Sequence, residues 1–474
     1  KWIRERGKSR EGGSPVESCS ADEFNAFFIN IPKTLRCNVP ATNIDPLSFF
    51  ATIEAPSFVF ELVSPSDIRE TIHSLRNTQG TDIYGLKAKV IKYIAPAIAS
   101  PLCFLINESL LQGIFPTALK KSIVVPIYKK GDRSDPGNYR PISLLPVFSK
   151  IFEQILMRRI SQHFEKYGIL SDNQFGFRPK KSTSDAILNF TKFCIEGFEN
   201  KGYVRATFLD LSKAFDCVDH DVLLRKLGVY GFDAIALTLM KSYLSGRLQA
   251  VKLDSGLSSF AEVSMGVPQG SILGPLLFLI YSNDVEKASP STHYVRFADD
   301  PTLLVTGSSL LEVTASSNTA VELTSQWMHA NGLTLNSSKS VTLDLTLRRA
   351  GSSELNTDPA RFLGVTIDGG LTWAPHCENV ASRLRSGIFL LRSLTECVSR
   401  DVLKMCYHGC FHSVLAYGVA AWGHCSLSSA LFGLQRRAIR VIAGLQYRED
   451  CRDAFRHMSI LTLPCVYIKE CLIM

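Results

Sequence analysis

Apolar residues along this chain recur in two rhythms. One falls near every third or fourth position and the other alternates, and each predicts a different element. Asp22 to Ile31 is a short amphipathic stretch, followed by a loop punctuated by Pro and Asn, so residues 1–60 read as a linker with one weak helix. Ser64-Pro65-Ser66-Asp67 ahead of Ile68, Ile72 and Leu75 predicts a helix start, because Ser can take an orphan amide and Pro fits the first turn. Helical spacing continues from Tyr84 to Leu111, with interruptions expected at Pro96 and Pro101. Ser122 to Tyr128 is β-branched and short, and Lys129-Lys130-Gly131-Asp132 turns the chain after it. Ser149 to Tyr167 places Ile151, Ile155, Leu156 and Ile160 on one helical side. Val204 to Leu211 reads as a buried strand, Val222 to Leu227 as a helix, and Val295 to Val305 as a hairpin with a polar tip at Asp299-Asp300. From about residue 375 the pattern turns helical and richer in Cys and His, so an α+β middle precedes a mostly α tail. No internal repeat or low-complexity tract appears.

Composition narrows the class. The chain has 474 residues, 46% hydrophobic and 20% charged, with 28 Phe, which excludes a mainly disordered chain and allows several modules around a sizeable core. The best apolar run, Ile272 to Tyr281, contains Gly274 and Pro275 and falls short of the ~20 residues that span a bilayer, so no membrane partner is expected. The opening residues carry Lys1, Arg4, Arg6, Lys8 and Arg10 without an apolar block, unlike a secretory leader. A start at Lys1 and an end at Ile473-Met474 lead to the expectation of a fragment, truncated at both ends. Thirteen cysteines lie scattered with no CxxC pair, the pattern of reduced thiols rather than of a disulfide framework. A net charge of +8 leans toward a polyanionic partner and by itself decides nothing.

The candidate chemistry is a set of carboxylates. Asp210 closes the apolar strand Thr207-Phe208-Leu209, and Asp299-Asp300 sits at the hairpin tip. Hard oxygen ligands at strand ends suit two-metal phosphoryl transfer, in which one Mg²⁺ activates an attacking hydroxyl and the other neutralises the leaving group. Alternation along a strand means that Asp299 and Asp300 need not contribute equally. Adjacent aspartates at a turn are, taken alone, solvated turn formers.

The surrounding blocks change that. Lys129-Lys130-Gly131-Asp132 with Asn138-Tyr139-Arg140-Pro141-Ile142-Ser143, then Gln174-Phe175-Gly176-Phe177-Arg178, then Asp210-Leu211-Ser212-Lys213-Ala214-Phe215-Asp216, then Gly266-Val267-Pro268-Gln269-Gly270-Ser271, then Phe297-Ala298-Asp299-Asp300 follow one another in order. Over roughly residues 80–375 the sequence resembles the reverse transcriptases of non-LTR (LINE-type) retrotransposons, here as a fragment lacking the endonuclease domain that full-length relatives often carry. The resemblance implies an α+β right-hand polymerase, with fingers, a palm built on a small antiparallel sheet, and a helical thumb. The implied division is 61–200 for an N-terminal extension and fingers, 201–374 for a palm with motifs A to E, and 375–474 for the thumb and C-terminal region.

The same resemblance implies roles. Asp210 and Asp299 would be catalytic metal ligands, Asp300 would support them, and the Leu211 carbonyl would lend another oxygen to two Mg²⁺, with Mn²⁺ as a substitute. Phe215 would be the ring that blocks a ribose 2′-hydroxyl; without the motif it is plain core packing. Gln269 and Gly270 would line the nucleotide pocket, and a Gly there lets backbone approach a flat base. Arg140, Lys129 and Arg178 would hold triphosphate or template, since a guanidinium pairs bidentately with phosphate; standing alone they are a solvated basic loop. Lys339 resembles a motif D lysine, a proton donor to pyrophosphate, and Phe362-Leu363-Gly364 a primer-grip hairpin. The implied partners are an RNA template, a DNA primer or target and deoxynucleoside triphosphates. The implied setting is nuclear or cytoplasmic, not secreted, with the nucleus favoured.

One departure stands out: Pro301 follows the aspartate pair where the family usually has Thr. Proline removes an amide donor from the returning strand. The competing reading is therefore a catalytically decayed remnant that retains only RNA binding. A two-metal nuclease is disfavoured, because no His or Glu is evident to activate a water and the Gly266–Ser271 block would go unexplained. Cys406, His408, Cys410 and His412 lack the tight paired spacing of zinc sites and read as a helix with buried thiols. Arg436, Arg437 and Arg440 share one helical stretch that could track a duplex backbone or simply face solvent.

Overall fold

The computed structural model describes residues 19–50, 55–77, 80–200, 202–347 and 355–473, so the basic start at Lys1 to Arg10 lies outside the described residues. In chain order the strands are β1 Lys121–Tyr128, β2 Tyr139–Leu144, β3 Tyr203–Phe208, β4 Arg247–Leu253, β5 Gly256–Leu257, β6 Ala261–Val263, β7 His293–Phe297, β8 Asp300–Gly307, β9 Val341–Leu345, β10 Ala360–Phe362 and β11 Val365–Ile367. The chain packs as two units. Of the described residues, one gathers those up to Asp172, Leu211–Pro290 and Glu322–Asn336; the other gathers Asn173–Asp210, Ser291–Val321 and those from Ser337 on.

The first unit is built on a sheet in the order β2-β1-β4-β5, with β6 also on β4. β1 and β2 form the antiparallel hairpin around the turn after Tyr128, and β1 pairs β4 in parallel. The Asp22–Ile31 stretch is here part of a longer helix, Ala21–Cys37, begun by a capping box between Ser20 and Glu23. It is not a linker element. Its Phe24 and Phe28 join Val124, Tyr139, Val251 and Leu253 in one buried cluster, and Phe24 meets Tyr139 edge-on at 5.1 Å. Asn25 completes the anchoring by donating to Ser259 O at 3.0 Å and accepting from Gln249 Nε2 at 3.0 Å. Partners spread so far along the sequence make this packing invisible to a local pattern.

The helix start at Ser64 is as expected, with Pro65–Ser74 helical. Pro96 falls in the first turn of the helix Ala95–Gln112, where its missing N–H costs nothing, and Pro101 is carried inside that helix rather than ending it. Among the described residues one helical stretch, Ala88–Gln112, is long and apolar enough to cross a membrane by length and composition, a test that buried core helices also pass, and 28% of its apolar window is buried. It is not one uninterrupted apolar run, because Lys89, Lys92, Ser100, Asn107 and Glu108 break it while leaving its average apolar.

Two buried acids position the later loops of this unit. Asp82 accepts from the Tyr84, Leu86 and Val147 amides, the last capping the helix Val147–Lys166 at 2.8 Å. Glu153, on that helix and fully buried, accepts from Ser149 Oγ and from the Ile272 amide at 2.8 Å, just before the helix Gly274–Tyr281. Burial pushes the Glu153 carboxyl up, and the nearby Arg247 opposes that push.

The second unit is a four-stranded antiparallel sheet in the order β7-β8-β3-β9. Successive β3 side chains go to opposite faces. Phe208 stacks on Phe190 of the helix Thr183–Glu199 at 5.9 Å, while Thr207 meets Ser317 of the helix Leu310–Ala330 at 3.1 Å. The Arg205–Asp344 pair, bidentate at 2.6 and 3.0 Å, locks β3 to β9. From Ala374 the chain is helical as expected, and its core continues the sheet's: Trp373, Leu384, Tyr407, Phe411, Trp422, Leu431 and Ile439 are buried in one cluster with Val204, Leu304 and Leu343. Gln435 is buried there and ties Tyr407 Oη, Leu461 O and the Leu463 amide.

Glu153→Leu keeps roughly the volume but removes the acceptor of the Ile272 amide and of the Ser149 hydroxyl. The expected cost is about 1–3 kcal/mol, read as a lowered urea midpoint with an unchanged slope.

Candidate active site

The acids come together through strand register. β3 ends at Phe208 opposite Thr302, and the Leu209 amide still donates to Pro301 O at 3.0 Å, so Asp210 leaves the sheet beside the β7–β8 connection. Phe297 pairs with Asp300, which leaves Ala298 and Asp299 as a two-residue turn. Asp210, Asp299 and Asp300 therefore share one end of the sheet, with Asp210 and Asp299 half-buried and Asp300 exposed. Lys339, just before β9, places Nζ 3.0 Å from Asp210 Oδ2. Both partners are partly open to water, so the pair stabilises by no more than about 1 kcal/mol.

What holds the turn is Gln174, which heads the Gln174-Phe175-Gly176-Phe177-Arg178 block. Ala298 has φ 58°, a left-handed conformation that costs a non-glycine residue about 1–2 kcal/mol. Gln174, 1% exposed, offsets this: its Oε1 accepts from the Ala298 amide at 3.0 Å and from the Gly176 amide at 2.8 Å. The loop is pinned at either side, since Phe175 N donates to Arg296 O and Arg296 N to Asn173 O. Gly176 lies so close that an added Cβ would stand 2.4 Å from Ala298 N. The Gln174–Phe177 block is thus a brace for the Asp299 turn. Only its proximity to other motif blocks in order could have marked it, because a buried Gln has no periodic signature.

Pro301 lies inside β8, opposite Leu209, with its carbonyl engaged. In an antiparallel pair the two opposed residues exchange two bonds, and proline can supply only the acceptor half. The register on both sides of it, Arg296 with Pro301 and Phe208 with Thr302, is unbroken. Pro301 leaves one ladder bond unmade and the hairpin intact.

The remaining expected site residues divide between the units. In the first unit, Phe215 stacks on Phe278 at 4.6 Å and its carbonyl accepts from the Val267 amide at 2.9 Å. Gln269 donates Nε2 to both Asp216 oxygens at 2.9 and 3.0 Å, and its backbone carbonyl accepts from the Ser143 amide at 2.7 Å. Gly270 has φ 115° and a Cβ there would fall 2.7 Å from Ser143 O, so both conformation and approach require glycine. Lys129 and Arg140 are exposed around the β1–β2 turn, where Lys129 N donates to Asn138 O. Leu211 bridges to Leu335 through the backbone. In the second unit, Arg178 is half-buried just after the brace, and Phe362-Leu363-Gly364 is the β10–β11 turn. Phe362 packs on Phe190 and Phe208, and Leu363 O accepts from Tyr417 Oη.

His408–His412 forms a π-helical turn with Cys410 Sγ on Cys406 O. Among the described residues no three His, Cys, Asp or Glu side chains are placed to hold a metal ion by themselves. A magnesium-type site does not need them, since one or two carboxylates suffice when substrate phosphates and water fill the other positions. The carboxylate oxygens of Asp210 and Asp299, at one end of the sheet, are of the hard-donor type such an ion takes, and Lys339 Nζ pairs with Asp210 there.

An antiparallel sheet in an α+β fold that gathers carboxylates from a strand end and a hairpin tip is the arrangement expected of a right-hand polymerase palm, and the family match below gives that class. Residues 127–367 match the family model described as reverse transcriptase (RNA-dependent DNA polymerase), and the chain belongs to that family. It is 30% identical over 444 residues to "Probable RNA-directed DNA polymerase from transposon X-element" of Drosophila melanogaster, covering 88% of this chain and 48% of the relative. It is 28% identical over 412 residues to "RNA-directed DNA polymerase from mobile element jockey" of the same species, covering 81% of this chain and 44% of the relative. The chain thus spans about half the length of these relatives. Among solved structures, apo telomerase from Candida Tropicalis matches with a TM-score of 0.39 and 15% identity, covering 54% of each chain. Enzymes of the reverse transcriptase family generally work with divalent metal ions.

Gln174→Ala would leave the Ala298 and Gly176 amides without their acceptor, at a cost of about 1–3 kcal/mol each. The loosened Asp299 turn should show as a lowered urea midpoint, with far-UV circular dichroism unchanged. Pro301→Thr should do the opposite to stability, adding one ladder bond worth about 1 kcal/mol in a urea titration.

Proposed function

We propose that this chain is the polymerase module of a non-LTR retrotransposon, an RNA-directed DNA polymerase that extends a DNA 3′-hydroxyl on an RNA template with deoxynucleoside triphosphates. The observation that carries the reading is the shared sheet end of Asp210, Asp299 and Asp300, set inside a chain of the reverse transcriptase family.

Asp210 and Asp299, with Asp300 in support and the Leu211 carbonyl, would hold two Mg²⁺ or Mn²⁺, which when bound make the primer hydroxyl a better nucleophile and offset charge on the triphosphate. The other roles belong to the chain's own groups. Phe215, fixed against Phe278, excludes a 2′-hydroxyl by its ring. Gln269 and Gly270 shape the nucleotide pocket, and Arg140 and Lys129 meet phosphate as exposed cations on the β1–β2 turn. Lys339 exchanges Asp210 for the triphosphate and supplies a proton at Nζ to the departing pyrophosphate. Arg178 and the Phe362-Leu363-Gly364 turn position template and primer. In this reading residues 61–200 are the N-terminal extension and fingers, 201–374 the palm and 375–474 the thumb. The site of action is the nucleus, where chromosomal DNA provides the primer.

The competing reading, a decayed remnant with RNA binding only, draws on Pro301. The intact β7–β8–β3 register speaks for working chemistry.

The test is primer extension on poly(rA)/oligo(dT) with Mg²⁺ and dTTP, comparing the chain with Asp299→Asn. Extension in the first and a loss of about a thousandfold in the second is expected. Absence of extension together with RNA affinity equal in both would favour the remnant.

A further inference from the structure

Asp216 lies six residues beyond Asp210 and has no role in the reaction as described so far. In the first unit its segment is stitched to the Gly266–Gln269 loop at several points. Gly266 N donates to Val218 O at 2.8 Å, Val267 N to Phe215 O at 2.9 Å, and the His220 ring Nε2 lies 2.8 Å from Gly266 O. The Asp216 carbonyl is so close to Gly266 that a Cβ there would stand 2.5 Å away. On this frame the carboxylate takes the Gln269 amide nitrogen with both oxygens, at 2.9 and 3.0 Å. Asp216 and Gln269 line one small cavity with Lys213, Ser143 and Arg247. Arg247 is 4% exposed, and its Nη2 has no hydrogen-bond partner among the described residues.

An amide side chain has a donor end and an acceptor end, and rotation by half a turn exchanges them. An ionised carboxylate only accepts, so it rejects the orientation that would aim Oε1 at it. Gln269 therefore keeps Nε2 on Asp216, and Oε1, which has no donor from the chain among the described residues, stays as the acceptor. We propose that Asp216 is a positioning residue for nucleotide binding: it fixes the facing of the Gln269 amide so that Oε1 is the acceptor offered to a hydrogen-bond donor of the incoming deoxynucleoside triphosphate. This rests on the polymerase reading above and deepens it.

Burial pushes the Asp216 carboxyl up to about 6, with the Gln269 amide and the Lys213 ammonium opposing. Lys213, Cys217, His220 and Arg247 are the titratable or charged groups around it. Protonation gives the carboxyl a donor of its own and removes the constraint, so the preference for one amide facing fades as pH falls through about 6.

The experiment compares wild type with Asp216→Asn, Gln269→Glu and the double variant. Asparagine has the same shape as aspartate, but in the wild-type facing its Nδ2 would stand donor to donor against the Gln269 Nε2 that now meets both oxygens, so that facing is disfavoured and the nucleotide KM should rise about tenfold while kcat stays within about threefold and primer–template affinity is unchanged. Gln269→Glu alone sets two carboxylates against each other and should raise KM further. In the double variant the new amide at position 216 can donate to one oxygen of the new carboxylate at position 269 and leave the other as acceptor, so KM should return to within about threefold of wild type. The wild-type KM should climb as pH drops below about 6, and that of Asp216→Asn should stay flat. An unchanged KM in Asp216→Asn, or a loss shared equally by KM, kcat and melting temperature without recovery in the double variant, would overturn the proposal. Binding of a non-hydrolysable α,β-imido deoxynucleotide, measured at equilibrium on the same four proteins, separates the two readings. A wild type that extends no primer sinks the polymerase reading, while a tenfold affinity difference would still uphold Asp216. A wild type with no affinity for the analogue sinks Asp216.

Discussion

The acidic site depends on one ladder, the antiparallel pairing of β3 with β8. Asp210 and the Asp299-Asp300 turn are far apart in sequence and belong to elements that have no local reason to meet. The register that sets Val204 against Thr306 and Phe208 against Thr302 brings them to one end of one sheet. A slip by one residue would send Asp210 to the wrong side and reverse which β3 side chains face the helix Thr183–Glu199. The register is protected against that slip by unlike faces. Phe208 is held among aromatic rings on one side and Thr207 bonds to Ser317 on the other. The Arg205–Asp344 fork adds a geometric check from β9. Packing and hydrogen bonding thus specify the chemistry before any acid is considered.

What is legible in the sequence is what has a period or a motif. The strand at Ser122–Tyr128, the amphipathic helix with Ile151 and Ile160, the hairpin about Asp299-Asp300 and the helical tail all appear within a few residues of where alternation and helical spacing put them. The strand after Val204 stops at Phe208, earlier than its apolar run, because Leu209 continues the run without continuing the ladder beyond one bond. Hydrophobicity reports burial, and burial outlasts pairing.

What was illegible depended on contacts between distant segments. Ala21–Cys37 looked weak because its own sequence is weak; its anchors, Val124, Tyr139 and Val251, are far along the chain. Gln174, Glu153 and Asp216 are polar residues whose partners are mainly backbone amides or another side chain's amide, and no spacing rule marks such a residue. Gln174 and Asp216 sat inside quoted motif blocks, so the blocks were visible while the work of individual members was not. Pro301 is the converse. It stood out in sequence as a disruption, and the ladder absorbs it with its carbonyl still bonded.

Each unit is stitched from three separate stretches of chain, with a strand or helix of one lying in sequence between pieces of the other. A ribosome therefore releases β3 long before β8 and β9 exist to flank it, and an apolar strand such as Val204–Phe208 must wait through the synthesis of much of the first unit. During that interval its open edges are available to any other strand, the condition under which nascent chains misassociate. The order of segments that brings the acids together on completion makes this protein dependent, during synthesis, on being kept from its neighbours.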